Sequence, residues 1–329
     1  QRQMCIRDST WSSVSCGSTH TVSIKTDGTL WSWGYNGYGQ LGLGNGTNYS
    51  SPKQVGALTN WSSVSCGYQY TVSIKTDGTL WSWGSNSFGQ LGLGNTNTYI
   101  SPKQVGALTN WSSVSCNDYH TVSIKTDGTL WSWGYNRFGQ LGLNNTTYYS
   151  SPKQVGALTN WLSVSGGQYY TVAIKTDGTL WSWGINDVGQ LGQGNTTNLS
   201  SPKQVGALTN WSSVSCGNFH TVSIKTDGTL WSWGRNDSGQ LGQGNTTYFS
   251  SPKQVGALTN WSSVSCGQYH TVSIKTDGTL WSWGANSFGQ LGLGNITNYS
   301  SPKQVGALTS WTKLFKGYAT NSTLAIKSS

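Results

Sequence analysis

The chain has 329 residues, 12% of them aromatic and only 9% charged, with a formal charge of +9 from 19 Lys and Arg against 10 acidic residues, every one an Asp. A chain of this length hides roughly three quarters of its unfolded surface on folding, so a core forms without disulfide or metal staples, and no apolar run reaches the roughly 18 residues of a membrane helix. Twelve of the Lys recur at two fixed places of a repeat, the Lys53 and Lys75 types, instead of lining one stripe, which argues against a nucleic-acid partner.

In chain order, the first nine residues stand apart. Met4-Cys5-Ile6-Arg7-Asp8-Ser9 fits no later segment and resembles the in-frame reading of a transposon-end sequencing adapter. Residues 1–9 are therefore set aside as an assembly scar on a metagenomic fragment, with the native upstream segment expected to be missing. Compartment then stays open, although the Ser, Thr, Asn and Gly richness favours an extracellular or virion surface over the cytoplasm.

Residues 10–329 read as one domain of 50-residue repeats that restart at Trp11, Trp61, Trp111, Trp161, Trp211, Trp261 and Trp311. Such a period denotes a solenoid, a propeller or an array. In the second unit the pattern predicts four short strands, at Trp61–Cys66, 71–75, 79–83 and, before the next unit, 102–105. Thr76-Asp77-Gly78 between the second and third supplies a hairpin turn, which makes the six recurring Asp turn formers. Ser-rich first strands suit a crowded axis and the paired Trp81 and Trp83 suit wider gaps further out. The Pro-containing fourth strand suits an edge.

The run Asp77-Gly78-Thr79-Leu80-Trp81-Ser82-Trp83-Gly84-Ser85-Asn86-Ser87-Phe88-Gly89-Gln90-Leu91-Gly92 resembles the repeat of the regulator of chromosome condensation family, and it returns in six copies. The resemblance implies an all-β, seven-bladed β-propeller of four-stranded antiparallel blades. The seventh unit here stops after Leu324-Ala325-Ile326-Lys327, so the expectation is six complete blades and an incomplete seventh, an open half-blade. The family also implies guanine-nucleotide exchange and chromatin docking, but none of its functional residues is matched; only the structural motif carries over.

The differences between copies carry the functional reading. The second-to-third turn and the link between units are nearly constant, whereas the first-to-second and third-to-fourth loops vary. In a meander those variable loops share one face. All 16 Tyr lie in varying stretches, whereas all 19 Trp belong to the constant frame. Tyr with Ser, Gly and Asn is the composition of binding loops on a rigid scaffold. The candidate ligand-binding residues are Tyr35, Tyr38, Tyr49, Tyr68, Tyr70, Phe88, Tyr99, Tyr119, Tyr135, Arg137, Phe138, Tyr148, Tyr169, Phe219, Arg235, Tyr248, Tyr269, Phe288 and Tyr299.

Catalytic and metal chemistry find little footing. His20, His120, His220 and His270 follow the repeated Cys by four residues, but Tyr70 and Tyr170 hold the same place and no unit offers zinc-site spacing. The Cys read as small buried residues. Nearly every Ser, His and Asp recurs by symmetry, which leaves Asp118 beside His120 as the one local pair, and Gly-Gln-Leu-Gly lacks the Lys of a phosphate loop. The reading is a non-catalytic, adhesin-like recognition propeller without cofactor or metal, whose partner is a protein or glycan. A ligand-free scaffold is the bland alternative.

Overall fold

The structure, a computed structural model, describes residues 11–315 and 324–327. The adapter-like segment 1–9 lies outside the described residues. Blade 1 consists of β1 (Trp11–Cys16), β2 (His20–Lys25), β3 (Leu30–Gly34) and β4 (Tyr49–Gln54), an antiparallel meander in that order. Five further four-stranded sheets repeat it, with inner strands Trp61–Cys66, Trp111–Cys116, Trp161–Gly166, Trp211–Cys216 and Trp261–Cys266.

The seven-bladed expectation is corrected: the described residues form six four-stranded blades. The remaining described strands, Trp311–Phe315 and Leu324–Lys327, form a two-stranded ribbon rather than a blade. Its unit has neither the Thr-Asp-Gly turn nor the Leu-Trp-Ser-Trp segment that builds the third strand elsewhere. The ribbon bridges the last and first blades, because Ser265 Oγ donates to the Phe315 carbonyl at 3.1 Å and Lys313 Nζ to the Ser12 carbonyl at 2.9 Å.

Small residues on the inner strands allow the blades to crowd the axis. Ser65, Ser115, Cys66 and Cys116 are among those lining a central cavity of about 20 Å³, room for about one water. Ser15 Oγ accepts from the Cys66 amide at 2.9 Å, and the Cys66 thiol donates to the Ser15 carbonyl at 3.4 Å. Burial pushes the Cys16 thiol up to about 11 and that of Cys116 to about 12, so these are inert packing groups.

The core lies between blades. Val72, Ile74, Leu80 and Leu91 of blade 2 pack against Trp111, Cys116 and Trp133 of blade 3. Trp83 is fully buried and donates Nε1 to the Gln40 carbonyl of the previous blade at 2.9 Å, an acceptor it shares with Thr71 Oγ1. Gly42 must be glycine there, since its φ is +72° and a Cβ would lie 2.8 Å from that indole nitrogen. Trp61 meets Trp81 and Trp83 edge-on at 6.2 and 6.0 Å, while Lys75 Nζ caps Trp81 at 3.7 Å. Asp77 accepts from the Thr79 amide and hydroxyl at 3.0 and 2.7 Å, the turn role expected of it.

The fourth strand begins earlier than the sequence implies, at Tyr99 in blade 2, and Pro102 sits inside it. The pairing jumps from Ser82↔Lys103 to Gly84↔Tyr99, so Pro102 falls in an irregularity of an edge strand, where no ladder donor is required. The two constant connections meet on one side of the disc: the Trp61 amide donates to the Gly28 carbonyl at 3.2 Å, and the Thr76 amide to that of Asn60 at 2.9 Å.

Candidate recognition face

The opposite side presents varied side chains from a fixed loop. In the third-to-fourth loop of blade 1 the buried Asn36 accepts from the Leu41 amide at 3.0 Å and donates to the Asn45 carbonyl at 2.8 Å, and Gln40 Oε1 accepts from the Tyr38 amide at 3.0 Å. The Tyr35 amide donates to the Thr19 carbonyl at 2.9 Å, which ties this loop to the first-to-second loop. Both polar anchors recur in every blade, so the variable positions between them change side chain without changing backbone.

Seven predicted site residues come together across blades 2, 3 and 4. Phe88 lies 5.1 Å from Tyr119, 5.0 Å from Tyr135 and 6.0 Å from Tyr148, measured between ring centres. Tyr68 meets Tyr119 at 5.9 Å, and Tyr135 meets Tyr148 at 4.7 Å. Tyr169 of blade 4 closes the group, 5.6 Å from Tyr135 and 5.3 Å from Phe138. Tyr148 is exposed and the other six rings are half-buried. Arg137 stands at the edge with its guanidinium 5.9 Å from the Phe138 ring.

The other predicted residues lie elsewhere. Tyr35 and Tyr38 form a separate exposed pair on blade 1, 6.5 Å apart. Arg235 packs over Phe219 at 5.9 Å and Tyr269 at 5.3 Å and pairs with Asp237, the one ion pair among the described residues. Tyr248 is exposed beside them. Tyr49, Tyr99 and Tyr299 belong to outer strands, where each hydroxyl accepts from an Asn at 3.5, 3.2 and 3.1 Å and a Lys lies over each ring. Phe288 is 69% exposed and touches none of the cluster.

Tyr70 is not on the face at all. It is fully buried, and its hydroxyl donates to the His120 carbonyl at 2.7 Å and contacts Thr121 Oγ1 at 3.0 Å. The His that alternate with it do similar bridging: His20 Nε2 lies 3.1 Å from Thr71 Oγ1 of the next blade, and burial pulls the His20, His120 and His220 pKa down to about 3. The His120 Nε2 atom faces Thr171 Oγ1 at 3.1 Å and Asn117 at 3.0 Å.

Sequence reasoning missed one coupling beneath the cluster. Asn117 replaces a glycine and Gly166 replaces a cysteine, in neighbouring units. A Cβ on Gly166 would lie 1.9 Å from the Asn117 amide nitrogen, so Asn117 fills the space that the repeat's usual cysteine side chain would occupy there. With its carboxamide turned to satisfy both sides, Asn117 donates to the Gly166 and Cys116 carbonyls and accepts from His120 Nε2, all at 3.0 Å. The paired departures were the signal. Next to them burial, and after it the charge of Asp118, itself 4% exposed, raises the phenol pKa of Tyr119 and Tyr169; Tyr169 reaches about 12.

The regulator of chromosome condensation (RCC1) repeat model matches residues 27–74, 77–124, 127–174, 177–224, 227–274 and 277–319. The chain belongs to that repeat family. Its RCC1 units are 46% identical over 44 residues to the Ultraviolet-B receptor UVR8 of Arabidopsis thaliana, a match covering 13% of this chain and 10% of that protein. The curated relatives are thus matched over about one repeat. The fold is similar to human WBSCR16, with TM-score 0.84 and 22% identity over 95% of this chain and 86% of that one. It is likewise similar to Prp20p of Saccharomyces cerevisiae, with TM-score 0.83 and 20% identity over 97% and 83%; that structure's description reports binding to Gsp1p and histones. At these identities the likeness concerns the RCC1 fold.

Proposed function

We propose that this RCC1 propeller is a non-catalytic recognition module that binds a protein or glycan through the variable face, with its contact centre on blades 2–4. The observation that carries the reading is the seven-ring cluster, Tyr68 to Tyr169, assembled from loops of three blades on an otherwise constant frame. Rigid aromatic rings give contact area at low entropic cost, which is what hot spots of interfaces are made of. Drift at exposed positions accounts poorly for rings that pack on one another from separate units. The RCC1 scaffold is also one on which a relative, Prp20p, is described as binding proteins.

The test is binding of the purified chain to peptide and glycan arrays beside a Tyr119→Ser, Tyr135→Ser, Phe138→Ser variant. Specific hits that vanish in the variant while it still unfolds cooperatively, at a melting temperature lowered only by the lost ring contacts, are expected. Hits unaffected by the three changes overturn the placement of the site, and absence of any specific hit favours a ligand-free scaffold.

A further inference from the structure

Each complete repeat carries two fixed lysines, and only one has a fixed acid to balance it. The six turn Asp offset the six Lys75-type cations two residues before them, so the six Lys53-type cations account for six of the nine net positive charges. No Asp or Glu occurs between 89 and 110 or between 189 and 210, the loop, fourth strand and link that hold Lys103 and Lys203. Strand register fixes where these two point. Lys103 pairs with Ser82 and Ser82 with Val72, and directly opposed residues share one side of a sheet. Val72 packs against Trp111 and Trp133 of blade 3. Lys103 therefore leaves blade 2 on the side that faces blade 3, with its Nζ 5.8 Å from the Tyr99 ring. Lys203 leaves blade 4 toward blade 5 in the same way.

An apolar groove opens at each of these two blade junctions. Between blades 2 and 3 it encloses about 330 Å³, with Leu93, Val105, Leu108, Trp131 and Pro152 among its walls. Between blades 4 and 5 it encloses about 320 Å³, with Val205, Leu208, Trp231 and Pro252 in the same places. Leu108 and Leu208 are 48% and 47% exposed, so the frame does not consume them, and Trp131 and Trp231 are partly exposed. Apart from the indoles, Gln104 and Ser151 are the polar side chains that line the first groove. Gln104 follows Lys103 directly.

These walls select the occupant. A volume at the low end of ligand pockets, about 300–1,000 Å³, admits one large side chain with its flanking backbone. Apolar walls favour an apolar anchor, whereas a sugar would bring more hydroxyls than two polar side chains can satisfy. The surplus cation beside each groove favours acidic residues on either side of that anchor. We infer that the grooves between blades 2 and 3 and between blades 4 and 5 each take a large apolar side chain from an acidic segment of a partner protein, with its carboxylates toward Lys103 and Lys203. This interaction goes beyond the ring cluster and does not depend on it. The second groove is the weaker, because Gln193 replaces Leu93 there, its Nε2 donating to Ser182 Oγ at 3.1 Å and to the Lys203 carbonyl at 3.2 Å.

The probe is the peptide Asp-Asp-Phe-Asp-Asp with blocked termini, titrated calorimetrically into the whole chain at low salt, beside forms with Ser in place of Phe and with Lys in place of every Asp. The Phe peptide is expected to bind at least about tenfold tighter than either control, with at least two peptides per chain. The paired changes Leu108→Ser and Leu208→Ser, at exposed positions, should lower its affinity several-fold. Lys103→Gln with Lys203→Gln should do the same and flatten the salt dependence. Equal binding of the Ser or Lys peptide, or affinity indifferent to both pairs of changes, overturns the inference. Tighter binding of polygalacturonate than of the Phe peptide assigns the grooves to acidic sugars and overturns the peptide assignment. Loss of the Phe peptide in the Tyr119→Ser, Tyr135→Ser, Phe138→Ser variant moves it to the ring cluster and likewise overturns the grooves. Array hits lost with Leu108→Ser and Leu208→Ser belong to the grooves, and the remaining hits decide the ring cluster on their own.

Discussion

Phe88 and Phe288 sit in identical ten-residue stretches, 86–95 and 286–295, yet one is embedded in a ring cluster and the other is 69% exposed. The local backbone is the same, down to the Gln90 and Gln290 side chains that accept from the Phe amides, at 2.9 Å in each case. What differs is the next blade. Phe88 meets Tyr119, Tyr135 and Tyr148 of blade 3, whereas Phe288 faces the side where a two-stranded ribbon follows. The candidate site is therefore a property of blade interfaces, and no single repeat encodes it.

The largest expected effect removes the frame both regions share. Trp133→Ala deletes the indole that crosses to the Gln90 carbonyl at 2.9 Å; truncating a buried Trp costs on the order of 3–5 kcal/mol, readable as a shifted denaturant midpoint. Acid acts on the same frame. His20, His120 and His220 have folded pKa values near 3 and His270 near 4, below the unfolded 6.5. Their contribution is fully present above pH 6.5 and is lost as pH falls toward 4 and 3, by at most about 1.4 kcal/mol per pH unit for each His. His220→Tyr, which copies the choice of units 2 and 4, should flatten the fall in melting temperature between pH 6.5 and 4.

A smaller change separates the regions. Gly166→Cys restores the repeat's usual residue but drives Cβ into Asn117, so it should destabilise by about 1–3 kcal/mol. Adding Asn117→Gly should return most of that loss, and a double-mutant cycle measures the coupling. Smallest is the comparison itself: Phe88→Ser should cost about 1–2 kcal/mol of stability through lost ring contacts and burial, against roughly 0.5 kcal/mol or less for Phe288→Ser. Equal costs at the two positions would dissolve the distinction between them.

Much of the frame was legible in the sequence because each constant residue has one local job. The Thr-Asp-Gly turns, the Ser-rich inner strands, the Trp pairs and the shared face of the variable loops all follow from periodicity and turn chemistry. The blade count differs because the restart at Trp311 reads as an open half-blade under the family's closure number, whereas Trp311–Phe315 and Leu324–Lys327 form a two-stranded ribbon between the last and first blades. Tyr70 was misplaced because its neighbours vary, while its own position alternates His and Tyr, two side chains that reach a polar group on the next blade from a buried position. The cluster of Tyr68, Phe88, Tyr119, Tyr135 and Tyr169 could be named residue by residue but not assembled, since contact across blades depends on how adjacent units pack.

The most direct test compares two matched variants of the whole chain on the same peptide and glycan arrays. One carries Phe88→Ser, Tyr119→Ser and Tyr135→Ser; the other carries Tyr248→Ser and Phe288→Ser. Loss of specific binding in the first with retention in the second is the predicted result. Retention in the first, or equal loss in both, contradicts a recognition site built across blades 2–4.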